Sequence, residues 1–263
     1  MVKARPNISC PLDPNFQPAI LFNRNYVRAA KDSGKATPLV IGLERENGLL
    51  SRCETIVKAE ADAETLRYVE RLVKNLLWMR GGWRLWIGGP HEIGEHIQRR
   101  YSRFGERQFD AELMSRVYER PFEVVEVDAK SVPAENEKHA TLGGHWDGCR
   151  IGFDLGASDY KIAAVKDGKT IYSDEFPWNP KDQPDPQYHY EHLNAGLKKA
   201  AAHLPRVDAI GGSSAGVIVG NKIMVASLFR SVPAEKFDVA KNIFLRLRDE
   251  WKTPLEVAND GDV

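Results

Sequence analysis

The strongest periodicity lies in AETLRYVERLVKNLLWMR (63–80), where Leu66, Val69, Leu72, Val73, Leu76 and Leu77 fall on one helical face. Gly81-Gly82 ends that helix, because glycine accepts the left-handed conformation that closes many helices. Before it, LVIGLERENGLLSRCETIV (39–57) places two β-rich runs around Glu46-Asn47-Gly48, and Asn-Gly is a strong hairpin signal. After it, WRLWIGGP (83–90) reads as a short buried strand entering a glycine turn. EIGEHIQRRY and FDAELMSRVY read as helices near 92–101 and 109–118, and FEVVEVD (122–128) as another strand. Residues 1–38, rich in Pro, Asn and Lys, lack sustained periodicity. They read as an extension packed on the body, with Tyr26–Lys31 as a short helical turn.

The polar, turn-rich SVPAENEKHATLGGHWDG marks the best boundary, which divides the chain into an α/β segment at 39–130, a linker at 131–149 and a second region at 150–263. There Ile151-Gly152-Phe153 delivers Asp154, passes through Leu155-Gly156-Ala157-Ser158 and returns as the strand-like run Tyr160–Val165. YHYEHLNAGLKKAAAHL (188–204) is a helix stopped by Pro205, and VDAIGGSSAGVIVGNKIMVAS (207–227) is strand, glycine-rich turn and strand. KNIFLRLRDEW (241–251) is a helix and LEVANDGDV (255–263) a strand with an acidic end. Strands alternating with helices, together with hairpins, predict an α/β fold with a mixed sheet. An α/β pattern normally follows such a strand with a further helix, so the expectation is that another element covers it.

Charge narrows the partners. Lys plus Arg count 37 and Asp plus Glu count 37, with no basic stripe, which argues against nucleic acid. No apolar run approaches the ~18 residues that span a bilayer, and MVKARPNISCPLDPNF has no signal-peptide core, so the expectation is a cytoplasmic protein without a membrane partner. Cys10, Cys53 and Cys149 are too far apart to form a disulfide framework or metal-ligand set.

Three turns invite chemistry together: Asp154–Ser158, Gly211-Gly-Ser-Ser-Ala-Gly216, and Asn259-Asp-Gly-Asp262. Each follows an apolar strand, and ligands of α/β sheets collect at the carboxyl ends of strands. Small residues let backbone N–H groups approach phosphate, while a carboxylate can hold hydrated Mg²⁺ or accept a proton. That combination suits phosphoryl transfer to an alcohol. Other candidates carry less. His189 and His192 share a helical face without a third ligand and read as solvated or capping. His139, His145 and Cys149 match no common zinc spacing. Trp78, Trp83 and Trp86 read as core rather than a ligand cage, and Cys53 as a buried strand residue.

In order and spacing, IGFDLGASDYK, VDAIGGSSAG and ANDGD resemble the first-half motifs of the ROK sugar kinases and repressors, in the actin-like ATPase superfamily. The resemblance covers about 150–263. It implies an actin-like (ribonuclease H-like) ATPase-type mixed sheet with flanking helices, ATP and Mg²⁺ as cofactors, and phosphoryl transfer to a sugar or related polyol. By that resemblance Asp154 holds Mg²⁺ through water, and Gly156, Ala157 and Ser158 face the phosphates. Gly212, Ser213, Ser214, Gly216 and Asn259 serve the sugar side, and Asp260 is the catalytic base, with Asp262 the next alternative. The sequence departs from the pattern in having Asp159 where the family has Lys, Ser158 for its Thr, and no counterpart in ASLFRSVP to its sugar-contacting Asn. Motifs of the family's second half do not follow, which predicts dependence on a second-lobe portion or on self-association. The same resemblance admits a non-catalytic sugar- or nucleotide-sensing module, although the first half offers no basic recognition helix like that of the repressors. A weaker likeness sets Gly88-Gly89-Pro90 beside the family's adenosine turn; a generic α/β segment is the plainer reading.

Overall fold

A computed structural model describes residues 10–14, 16–137 and 144–261. The chain divides into two compact units, Met1–Ala140 and Thr141–Val263.

The first unit begins with helix α1 (Ala19–Asp32), longer than the short turn expected at 26–31. Phe22, Tyr26 and Ala30 recur every four residues, so one stripe of an otherwise polar helix is buried. The Tyr26 hydroxyl donates to Thr65 Oγ1 at 2.8 Å, and its ring stacks on Tyr68 with centroids 4.3 Å apart. This helix therefore belongs to the core. Strands β1 (Ala36–Glu44) and β2 (Leu50–Lys58) pair antiparallel across a turn where Asn47 and Gly48 take φ of 56° and 71°. Helix α2 (Ala63–Arg80) starts at Asp62, whose carboxylate accepts from Thr65 N at 2.7 Å, and stops at Gly81 with φ 67°. Then come β3 (Arg84–Gly88), α3 (His91–Arg100), α4 (Gln108–Tyr118) and β4 (Glu123–Val127). The sheet order is β2-β1-β3-β4, with β3 and β4 parallel. Of the tryptophans expected in the core, Trp83 is buried. Trp78, however, is 49% exposed and stacks on exposed Phe109, while its Nε1 donates to the buried Asp110 at 2.9 Å. Cys53 is half-buried, and burial followed by the Glu54 charge raises its thiol above the ordinary range.

The second unit opens with a three-strand antiparallel meander, β5 (Cys149–Leu155), β6 (Asp159–Lys166) and β7 (Lys169–Pro177). Helix α5 (Pro186–Ala201) leads to β8 (Ala209–Ser214), a small ribbon β9 (Val217–Val219) and β10 (Lys222–Val225), helices α6 (Phe237–Lys241) and α7 (Ile243–Trp251), and β11 (Leu255–Asn259). The order is β11-β8-β5-β6-β7, and β5, β8 and β11 run parallel. This is the mixed α/β sheet with flanking helices expected of 150–263. Strict alternation in β5 sends Ile151, Phe153 and Leu155 into the helix-covered core, where Phe153 meets Phe244 of α7. Its other face carries Arg150, Gly152 and Asp154. Gly152 pairs with Gly211 there, and a Cβ on either would meet nothing within 4 Å.

Candidate functional site

Register brings the three turns to one edge. Leu155 pairs with Ser214, and Ser214 with Asn259, so three adjacent parallel strands end level with one another. Strands lie ~4.8 Å apart, which puts the turns after β5 and β11 roughly 10 Å from each other. Each turn thus leaves from the carboxyl end of its strand, where backbone amides and side chains can converge on a ligand.

Asp154 sits one residue before the end of β5. Its Oδ1 accepts from Ser213 Oγ at 2.5 Å, a bond dictated by the direct pairing of Asp154 with Ser213. On the opposite flank Asp154 pairs with Lys161 of β6. These two line a shallow depression of about 510 Å³ with Gly152, Ala163, Ser173 and Glu175.

The 156–158 turn is anchored from behind by Trp178. Its Nε1 donates to Gly156 O at 2.9 Å, and its backbone N donates to Ser158 O at 3.0 Å. Ser158 Oγ donates to Asp159 Oδ2 at 2.8 Å, and Lys161 Nζ to Asp159 Oδ1 at 3.0 Å. Lys161, and then Ser158, hold the Asp159 carboxyl below its ordinary range, while Asp159 raises Lys161. The negative charge that departs from the family pattern is therefore paired within the hairpin. A Cβ on Gly156 would lie 2.8 Å from Asp159 O, so a side chain there forces the turn open.

The glycine-rich segment divides by role. A side chain on Gly212 would overlap the Phe153 ring, so this glycine serves the core. Ser214 is fully buried, with its hydroxyl on Ala215 O at 3.3 Å. Gly216 has φ 113° and lies against Val225 O, a close approach only glycine permits. Asn259 Nδ2 donates to Gly216 O at 2.6 Å, and its Oδ1 accepts from Gly261 N at 2.8 Å, stapling the acidic turn to the glycine-rich one. Asp260 is exposed on that turn. Of the sequence candidates, Asp154 and Ser213 are in contact, as are Asn259 and Gly216, whereas Gly212 and Ser214 turn to the interior. Asp262 and His139 lie outside the described residues.

His189 is not solvated. It is 2% exposed, and its Nε2 lies 3.0 Å from Pro180 O and 3.2 Å from Leu228 O. Burial pushes its pKa below the ordinary histidine value, against the effect of those carbonyls. His192 Nδ1 donates to Tyr188 O at 2.9 Å. Among the described residues no group of three His, Cys, Asp or Glu could hold a metal, and no helix is long and apolar enough to cross a membrane. Gly88 and Gly89 are filled by their neighbours: a Cβ would overlap Val132 at the first and lie 2.8 Å from Leu39 Cδ1 at the second. Sequence reasoning missed Lys161 and Trp178. Counting back through the hairpin from Leu155–Tyr160 would have set Lys161 opposite Asp154; nothing local marks Trp178.

No protein-family model matches the chain, and neither does any curated protein. Among solved structures, glucokinase from Parabacteroides distasonis is similar at TM-score 0.36 and 22% identity, over 45% of this chain and 33% of its own. The ROK hexokinase from Thermus thermophilus gives TM-score 0.33 and 17% identity, over 43% and 35%. The PPX-GPPA enzyme of Aquifex aeolicus gives TM-score 0.26 and 14% identity, over 86% and 92%. The matched part spans about a third of the two sugar-kinase structures.

Proposed function

We propose that the second unit forms the phosphate-binding part of a ROK-like, ATP-dependent kinase acting on a sugar or related polyol hydroxyl. The level ending of β5, β8 and β11, with an amide-rich turn, a carboxylate and an acidic turn on adjacent strands, carries this reading. When bound, ATP–Mg²⁺ supplies the phosphoryl group and neutralises its charge. The chain offers a donor set that fits it. Asp154 has one oxygen engaged by Ser213, which orients the other for a hydrated cation. Ala157 and Ser158 are exposed, and the turn fixed by Trp178 presents its backbone amides to phosphate oxygens. Asp260 takes the proton of the acceptor hydroxyl, and Asn259 sets that turn against Gly216.

Calorimetric titration with Mg–ATP, followed by turnover on a panel of sugars, tests the reading. Nucleotide binding is expected in the wild type, and Gly156→Val should weaken ATP more than sugar. Equal loss of both ligands would point to general misfolding and remove support for the phosphate assignment. Binding without turnover on any sugar would favour a sensing module over a kinase.

A further inference from the structure

The 156–158 turn and the segment after β10, distant in sequence, are joined through one buried histidine. Trp178 carries the turn on its indole and backbone N–H groups. The edge of that indole meets His189, with centroids 6.0 Å apart at 77°. Through Nε2 the same imidazole holds Pro180 O, two residues beyond the tryptophan, and Leu228 O in the segment after β10. Phe229 packs on its ring at 4.5 Å. A second set of bonds closes the two segments from outside. Arg230 donates to Lys181 O at 3.3 Å and to Asp182 Oδ1 at 3.1 Å, and Ser231 Oγ donates to Lys181 O at 2.6 Å.

We infer that His189 and Trp178 are positioning residues that clamp the 156–158 turn to the 227–231 segment, so that the two order and loosen together. Trp178 and His189 are both buried, at 7% and 2% exposure, in one cluster with Tyr188. A packed aromatic cluster with directed hydrogen bonds moves as a unit more readily than its parts, because each bond broken alone leaves a buried polar group unpaired. That one end of the clamp is a phosphate-binding turn rests on the function proposed above; the mechanical link itself does not, and its test uses no ligand.

Hydrogen exchange on the whole chain reads the clamp through the amides of Trp178, which donates to Ser158 O, and Val232, which donates to Phe229 O. His189→Ala removes the one N–H that is shared between Pro180 O and Leu228 O, so both amides should exchange about tenfold faster or more. Amides in the middle of α5 and in β8 should keep their wild-type rates. His189→Gln, which retains a donor, should restore both amides. Arg230 lies at the surface, and Arg230→Ala leaves the core intact should His189→Ala fail to fold. It should accelerate Val232 and, to a smaller extent, Trp178. Acceleration confined to Val232 in either variant overturns the clamp. So does an even rise across α5 and β8, which would make His189 a packing residue only. If the clamp holds and Mg–ATP fails to bind, the kinase reading falls alone.

Discussion

Two strands of this molecule run into glycine, and their surroundings differ. At the end of β3, Gly88 and Gly89 lie under Val132 and Leu39, so the missing side chains make room for the protein's own core. At the end of β5, Gly156 opens a turn with Ala157 and Ser158 exposed, Asp154 just before it and Lys161 across the hairpin. The first junction is filled by side chains of the core; at the second Gly156 is closed by the backbone of its own turn, at Asp159 O, while Ala157 and Ser158 face solvent beside charge. A glycine at a strand end therefore says that something approaches closely, and only the neighbours say whether that is a core side chain or a tight turn that exposes the residues after it.

The comparison can be broken at several points. Asp260→Asn should lower turnover by at least roughly a hundredfold, the scale of losing a general base, with fold and nucleotide affinity little changed. Near-normal kinetics would move the base elsewhere. Gly88→Ala should destabilise the first unit by about 1–3 kcal/mol through overpacking, seen in urea unfolding, and leave nucleotide affinity untouched. A drop in affinity instead would give β3 a ligand role. A pH series separates the second unit further. Unfolded histidine titrates near ~6.5, and burial sets the folded pKa of His189 lower. Protons then bind the unfolded state preferentially, so this contribution is complete above that value and is lost as pH falls through the folded pKa. His192 and Tyr188 on α5, and Asp182 and Arg230 on the flanking segments, share its surroundings. His189→Gln should flatten that part of the stability profile, and an unchanged slope would contradict it. Smallest of all, Gly152→Ala and Gly211→Ala should change stability by no more than about 0.5 kcal/mol, since a Cβ there meets open space. A large loss would mean that face is covered.

Much of the fold could be read from pattern. The Asn47-Gly48 hairpin, α2 and the alternating β5 each carry a local signal that survives in three dimensions. Helix α1 was harder, because Phe22, Tyr26 and Ala30 are the buried stripe of a segment otherwise rich in polar residues. Strand β7 offered no signal, since only Tyr172 and Phe176 are even half-buried along it. For the site, the three turns were visible because each is contiguous in sequence. The pairs that give them geometry were not. Ser213 meets Asp154 through strand register, Lys161 stands opposite Asp154 through the hairpin, and Trp178 reaches Gly156 from the end of β7. Conversely, Gly212 and Ser214 read as site residues only because sequence order does not reveal which alternate positions face the core.

The central claim is that the turns after β5, β8 and β11 form one ligand site while the Gly88-Gly89 junction forms none. Amide chemical shifts recorded during titration of the whole chain with Mg–ATP test it most directly. Perturbation is predicted together at Gly156, Ala157, Ser158, Ser213 and Gly261, with Gly88 and Gly89 unmoved. Shifts centred on Gly88 and Gly89, or a set that omits the 156–158 turn, would contradict the account.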